Sequence, residues 1–309
     1  MILLYIVLAL LGLFALSIVV FIYLMPEKFI SLLLEFTRKK SGLTCKKISI
    51  EEDLHISYLE GGSGECIVLL HGFGANKDIY VNFAEYLTPK YHVIIPDIIG
   101  FGDSSHPKDA DYSPLEQAKR LHKFLQILNI PTAHFIGNSM GGQISVVYAS
   151  NFPKNVRTLF LVSPAGLWTH PLSDIIKIII DTKTNPLIAR SVEEFKELMS
   201  LAMVNPPKLP KPLFNVLAKE RINNADLEEK IFRALVDYSV ENDLKNITQK
   251  TLILFGEYDK IIIPQIADKF EELLKSSLVV VLENTGHVAT YEQPKLCADH
   301  YLKFIDDLS

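Results

Sequence analysis

From about residue 44 onward, short wholly apolar segments alternate with amphipathic ones, and this rhythm constrains the fold more than any other feature of the chain. Residues 65–70 (ECIVLL), 92–96 (HVIIP), 133–137, 156–162, 251–255 (TLILF) and 277–282 (SLVVVL) read as strands without a polar face. Such strands are buried on both sides, which is the pattern of a mainly parallel sheet with helices on each face. The intervening helices are predicted at 78–87, 114–128, 141–152, 264–274 and 294–308. Two further strands are predicted within 47–60, with a turn near Glu52 and Asp53. A length of 309 residues fits one large α/β domain or two small ones.

The alternation breaks at 167–246. Prolines stand at 171, 186, 206, 207, 210 and 212, and helices are predicted at 173–180, 191–203, 212–222 and 225–243. The stretch interrupts a direct strand-to-strand crossover, so it reads as a helical cap over the carboxyl edge of the sheet. The core is then 44–166 together with 247–309. Open α/β sheets bind ligands at that edge, so the cap is expected to line a pocket.

The N-terminus has a different character. No side chain before Glu27 is charged, and the run from Ile2 to Met25 is 24 apolar residues, about 36 Å as a helix. That exceeds a hydrocarbon core of roughly 30 Å and spans it with some tilt. A signal peptide would carry a basic start and a small-residue cleavage site. A buried core helix would be shorter and amphipathic. Residues 1–26 are therefore read as a single-pass transmembrane anchor. Lys28, Arg38, Lys39, Lys40, Lys46 and Lys47 all follow it, which predicts a cytoplasmic catalytic domain. Residues 27–43 form a basic juxtamembrane segment in which Phe29, Leu33 and Phe36 make an apolar stripe. The stripe fits either a helix lying in the membrane interface or a connector packed on the domain.

Composition narrows the function classes. With 31 basic and 36 acidic residues the net charge is −5, which argues against nucleic acid as a partner. Cys45, Cys66 and Cys297 are odd in number and widely spaced, with no CxxC and no metal-ligand cluster, and read as free thiols.

The sharpest chemical signal is Gly137-Asn138-Ser139-Met140-Gly141-Gly142, between an apolar strand and a helix. That is the context of a G-x-S-x-G nucleophile elbow, in which a tight turn lifts the serine hydroxyl above the sheet. Serine needs a base and an orienting acid, which follow it in the order acid, then histidine. Three histidines lie downstream. His170 stands at the start of the cap, and His300 falls inside a predicted helix. His287, in the loop Asn284-Thr285-Gly286-His287 after the last strand, can reach the carboxyl edge and is taken as general base. The acid is expected after strand 251–255, where Asp259 is preferred and Glu257 is the fallback. The oxyanion hole is assigned to the N–H groups of Met140 and of Phe73, in the loop His71-Gly72-Phe73-Gly74. Asp97, Gly100 and Gly102 are read as shaping a neighbouring loop, and His71 as shaping its own turn.

Taken together, HGFG, DIIGFGDSS, GNSMGG, FGEYD and NTGH resemble the α/β-hydrolase superfamily from about residue 44 to the end. Within it, the span, the basic segment, His71–Asp78 (HGFGANKD), Ser139–Gln143 (SMGGQ) and Pro164–Leu167 (PAGL) resemble the membrane-anchored monoacylglycerol lipases. The resemblance implies a serine hydrolase of lipid esters, foremost monoacylglycerol, working through an acyl-enzyme without metal or coenzyme. Two alternatives are a C–C bond hydrolase of ring-cleavage products and a non-catalytic receptor on the same fold.

Overall fold

The computed structural model describes residues 1–168, 171–182 and 184–307. Among these residues eight strands form one sheet: β1 (Leu43–Glu51), β2 (Leu54–Gly61), β3 (Cys66–Leu70), β4 (His92–Pro96), β5 (Ala133–Asn138), β6 (Val156–Val162), β7 (Lys250–Gly256) and β8 (Ser277–Leu282). Their order is β1-β2-β4-β3-β5-β6-β7-β8. The β1–β2 and β2–β4 pairs are antiparallel, and the pairs from β4 through β8 are parallel.

Among the described residues twelve α-helices accompany them. Two precede the sheet: α1 (Ile2–Leu24) and α2 (Pro26–Lys40). Then come α3 (Val81–Ala84), α4 (Pro114–Ile127) and α5 (Met140–Asn151). Between β6 and β7 lie α6 (Asp174–Thr182), α7 (Val192–Ala202), α8 (Lys211–Val236) and α9 (Glu241–Asn246). The last three are α10 (Ala267–Leu273), α11 (Ala289–Glu292) and α12 (Pro294–Asp306). The chain thus has an α/β-hydrolase architecture, a mostly parallel sheet flanked by helices.

The doubly buried strands follow from the alternation of side chains about a pleated backbone. In β3, Val68 and Leu70 face a core shared with α4, α5 and α10, while Ile67 and Leu69 face one shared with α3 and α12. Helix starts follow local chemistry. Ser113 accepts from Glu116 N–H at 3.3 Å ahead of Pro114, and Ser191 accepts from Glu194 N–H at 3.1 Å.

Three helical expectations are corrected. Residues 78–87 form a 3₁₀ turn, Lys77–Tyr80, followed by the single turn α3. The helix expected at 264–274 likewise opens with a 3₁₀ turn, Pro264–Ile266. The helices expected at 212–222 and 225–243 are one continuous helix, α8, which stops at Val236. Asn223 and Asn224 fall between the two expected helices, but Arg221, Ala225 and Glu228 on the same side are buried, and tertiary packing overrides weak helix propensity there.

At the N-terminus, α1 has no buried residue and a mean hydropathy of 2.9 over its most apolar window. It is the one helix among the described residues long and apolar enough to cross a membrane. Helix α2 docks on the domain through a bidentate Arg38–Asp78 pair at 2.6 Å, while Leu33 and Phe36 stay exposed. Cys66 and Cys297 are buried, and burial pushes both thiols up to about 12. Cys45 is exposed on β1, less covered than a core thiol.

Candidate active site

The strand order decides where the site lies. From β3 the chain runs to β4 on one side, and from β5 it runs to β6 on the other. The turn after β3 leads to α3 on one face of the sheet, and the turn after β5 leads into α5 on the opposite face. A crevice therefore opens beyond the carboxyl ends of β3 and β5. All candidate groups hang from this rim: Phe73 after β3, Ser139 and Met140 after β5, Asp259 after β7 and His287 after β8.

Ser139 is the N-cap of α5 with φ +52° and ψ −114°, a region that non-glycine residues seldom occupy. Its backbone is held there from both sides. Ser139 N–H donates to Val162 O at 2.9 Å, and its carbonyl accepts from Gln143 and Ala165 N–H at 3.0 and 3.1 Å. Glycine is required around it for space: a Cβ on Gly141 would lie 2.0 Å from Leu70 O, and one on Gly137 2.4 Å from Gly141 O. The serine is 9% exposed.

Asp259 and His287 are 28 positions apart, and their side chains meet at 2.8 Å through Oδ2 and Nδ1. Both are buried. The other carboxylate oxygen, Oδ1, accepts from Ile261 and Ile262 N–H at 2.8 and 2.9 Å. Each such charge-assisted bond contributes about 1.5–3 kcal/mol, so the carboxylate has one fixed orientation. The fallback acid Glu257 is exposed and accepts from Asn284 N–H at 3.2 Å, away from the imidazole. His300 lines a groove with Lys250 and Thr251, at the opposite edge of the sheet. His170 lies outside the described residues.

Asn138, beside the serine, donates through Nδ2 to His287 O and to Val162 O, both at 3.0 Å. It ties the histidine loop to the elbow. No hydrogen bond joins His287 to Ser139 Oγ among the described residues. In active sites without substrate such bonds are often long and tighten only on binding.

The Met140 N–H opens α5 and the Phe73 N–H lies in the loop after β3. Neither donates to a protein acceptor among the described residues, and Ser139 Cβ is 3.4 Å from where a Cβ on Gly72 would stand. Two unclaimed N–H groups beside a strained serine can receive a developing negative charge. The loop itself is braced. His71 Nε2 accepts from Ile98 N–H at 3.0 Å and Nδ1 faces Gly72 O at 2.8 Å; burial lowers its pKa and keeps the ring neutral. Lys77 reaches Asp97 at 2.7 Å and Asp103 at 2.6 Å. Burial opposes its charge, but the two carboxylates hold the ammonium above the ordinary lysine range.

Sequence reasoning did not find three contributors. Gln143 Nε2 donates to Leu235 O and Tyr238 O at 3.0 and 2.9 Å, holding the end of α8; its place in SMGGQ was the available signal. Arg221, also on α8, lays its guanidinium over the Phe73 ring at 5.6 Å, against Gly74, where no Cβ would fit. Its Nη2 bonds Leu187 O at 2.8 Å and faces the buried Glu228 at 3.0 Å, whose carboxyl burial pushes up to about 7 despite the cation. Glu292 joins the histidine loop to the end of α7. No local pattern marks the last two, because the contacts Arg221 makes with Phe73 and Gly74, and Glu292 with Val204, cross long stretches of chain.

Comparison with known proteins gives a consistent picture. A family model described as the alpha/beta hydrolase fold matches residues 65–294. Lipase 1 of Psychrobacter immobilis is 38% identical over 278 residues, covering 88% of this chain and 87% of that protein. Monoacylglycerol lipase ABHD6 of Rattus norvegicus is 28% identical over 296 residues, covering 91% and 88%. The crystal structure of a bacterial membrane phospholipase A has a TM-score of 0.88 at 34% identity, over 98% of each chain.

Proposed function

The chain belongs to the α/β-hydrolase family and is a carboxylic ester hydrolase of lipids, and from that premise we propose a monoacylglycerol lipase working through an acyl-enzyme on Ser139. His287 takes the serine proton as Ser139 Oγ attacks the ester carbonyl, and Asp259 stabilises the imidazolium. The N–H groups of Phe73 and Met140 receive the oxyanion. Glycerol leaves with the proton from His287. Water, deprotonated by the same imidazole, then cleaves the acyl-enzyme and frees the fatty acid. The observation that carries this reading is the buried 2.8 Å bond between His287 and Asp259 beside a serine at positive φ.

The segment 167–246 serves in this reading as the cap that receives the acyl chain. Buried apolar side chains of α6, α7 and α8, among them Ile175, Phe195, Leu198 and Phe232, form a core of their own there. A second reading, release of fatty acid from phospholipids, draws support from the 98% overlap with a membrane phospholipase A. The discriminating experiment is a p-nitrophenyl ester series from C2 to C16 beside monoacylglycerol and diacyl phospholipid in mixed micelles. Faster turnover of monoacylglycerol than of phospholipid is expected, with long acyl chains preferred over C2. Preference for the phospholipid would transfer the assignment to the second reading. Turnover of a vinylogous keto-acid in place of every ester would point to C–C hydrolysis, and failure of a fluorophosphonate to label the protein would point to a receptor.

In this reading α1 spans the bilayer and the basic residues after it hold the catalytic domain on the cytoplasmic side. Cys45 is an exposed reporter of that orientation, since the other two thiols are buried. A membrane-impermeant maleimide should label it only after the cells are permeabilised. Labelling of intact cells would reverse the orientation.

A further inference from the structure

We propose that Glu292 is a positioning residue, which fixes the main chain of His287 against the end of helix α7; the inference rests on His287 being the general base. Asp259 orients the imidazole from its Nδ1 side but does not set where the backbone of residue 287 stands. Three other residues do so. Asn138 Nδ2 donates to His287 O at 3.0 Å, from the core. His287 N–H donates to Ala202 O at 2.8 Å, at the last residue of α7. Glu292 supplies the third element. It stands five positions after His287 at the end of α11 and turns back over its own loop. Its Oε1 accepts from Gly286 N–H at 3.0 Å, and its Oε2 accepts from Val204 N–H at 2.8 Å.

One carboxylate therefore bridges the residue before His287 and the residue two beyond α7. Residues 202–204 and 286–287 are joined by two ties, and the clearance between them is small. A Cβ on Gly286 would lie 2.8 Å from Ala202 O and 2.9 Å from Glu292 Oε1. Burial, resisted by the donated N–H groups and reinforced by the nearby Asp259, raises the carboxyl above its usual range. Both carboxylate oxygens are thus committed to a bridge that an apolar residue could not form. The cap helix and the base loop consequently move together.

The test compares Glu292→Ala, Glu292→Gln and Glu292→Asp with His287→Ala, in the full-length enzyme in detergent micelles. If position matters, alanine lowers kcat by roughly 10–100-fold, as expected for a displacement of the order of 1 Å, with KM changed less than about 3-fold. Glutamine has the right length and keeps one acceptor, so it recovers part of kcat. Aspartate keeps the charge but cannot reach both donors, so it behaves like alanine. Alanine within about 2-fold of wild type, a loss carried by KM alone, or aspartate outperforming glutamine would overturn the proposal. Should alanine not fold, the order of glutamine and aspartate decides. Retained activity in His287→Ala would instead overturn the assignment of the base, which is a separate failure.

Discussion

Ser139→Ala is expected to lower hydrolysis of any ester substrate by about 10⁴-fold or more and to abolish labelling by a fluorophosphonate, while the thermal unfolding midpoint stays within a few degrees. Alanine cannot attack the carbonyl, and the oxyanion donors and the binding surface account for whatever rate remains. Stability is spared because the hydroxyl makes no hydrogen bond to protein among the described residues. The bonds that hold the turn all come from the Ser139 backbone, its N–H to Val162 O and its carbonyl to Gln143 and Ala165. Alanine also keeps the strain of a positive φ, so neither relief nor added cost follows. The check is initial rate, probe labelling and melting on the same preparation. Full esterase activity in the variant would sink the nucleophile assignment, because no other residue in the elbow offers a hydroxyl or thiol.

Asp259→Asn carries the second large effect, a loss of about 10³–10⁴-fold in kcat at neutral pH. The reason lies in which oxygen is already committed. Oδ1 accepts from two backbone N–H groups, of Ile261 and Ile262, so the asparagine oxygen stays there. The amide nitrogen is then left facing His287 Nδ1, where Oδ2 stood at 2.8 Å. It must donate, so the ring proton moves to Nε2, and that nitrogen can no longer take the serine proton. Rates measured on a short ester between pH 7 and 9 test this. A loss below about 10-fold would mean that the carboxylate does not set the tautomer.

Much of the architecture could be read from the sequence because the information is local. The runs IVLL and LILF are apolar on both faces and are buried throughout in the parallel sheet, whereas SLVVVL, equally apolar, forms the edge strand β8 and leaves Leu278 and Val281 exposed. Asp259 and His287 could be singled out because each sits a few residues past such a run, at the rim that parallel strands share. Departures arise where long-range packing outweighs local preference. Asn223 and Asn224 invite a break, yet α8 continues through them because Arg221 and Glu228 are fixed on its buried side. Residues 78–87 have helical spacing, but the demands of Lys77 and Asp97 tighten the first turn to 3₁₀. Arg221 and Glu292 belong to the same class. Arg221 meets Phe73, and one oxygen of Glu292 meets Val204, each more than 80 positions away, and nothing in the spacing of charges along the sequence reveals such a meeting.

The Arg38–Asp78 pair has a mechanical consequence. Asp78 follows the turn that carries Phe73 by five residues, and both partners are largely shielded from water, at 18% and 12% side-chain exposure. Under the proposed anchoring, the stalk that follows α1 is thus bolted to the loop at the lip of the crevice. A loose leash would let the enzyme tumble and sample the membrane at any angle. With α1 in a bilayer as proposed, a rigid strut would fix both the height and the tilt of the entrance, and arriving lipids would meet one geometry, dictated by the first forty residues.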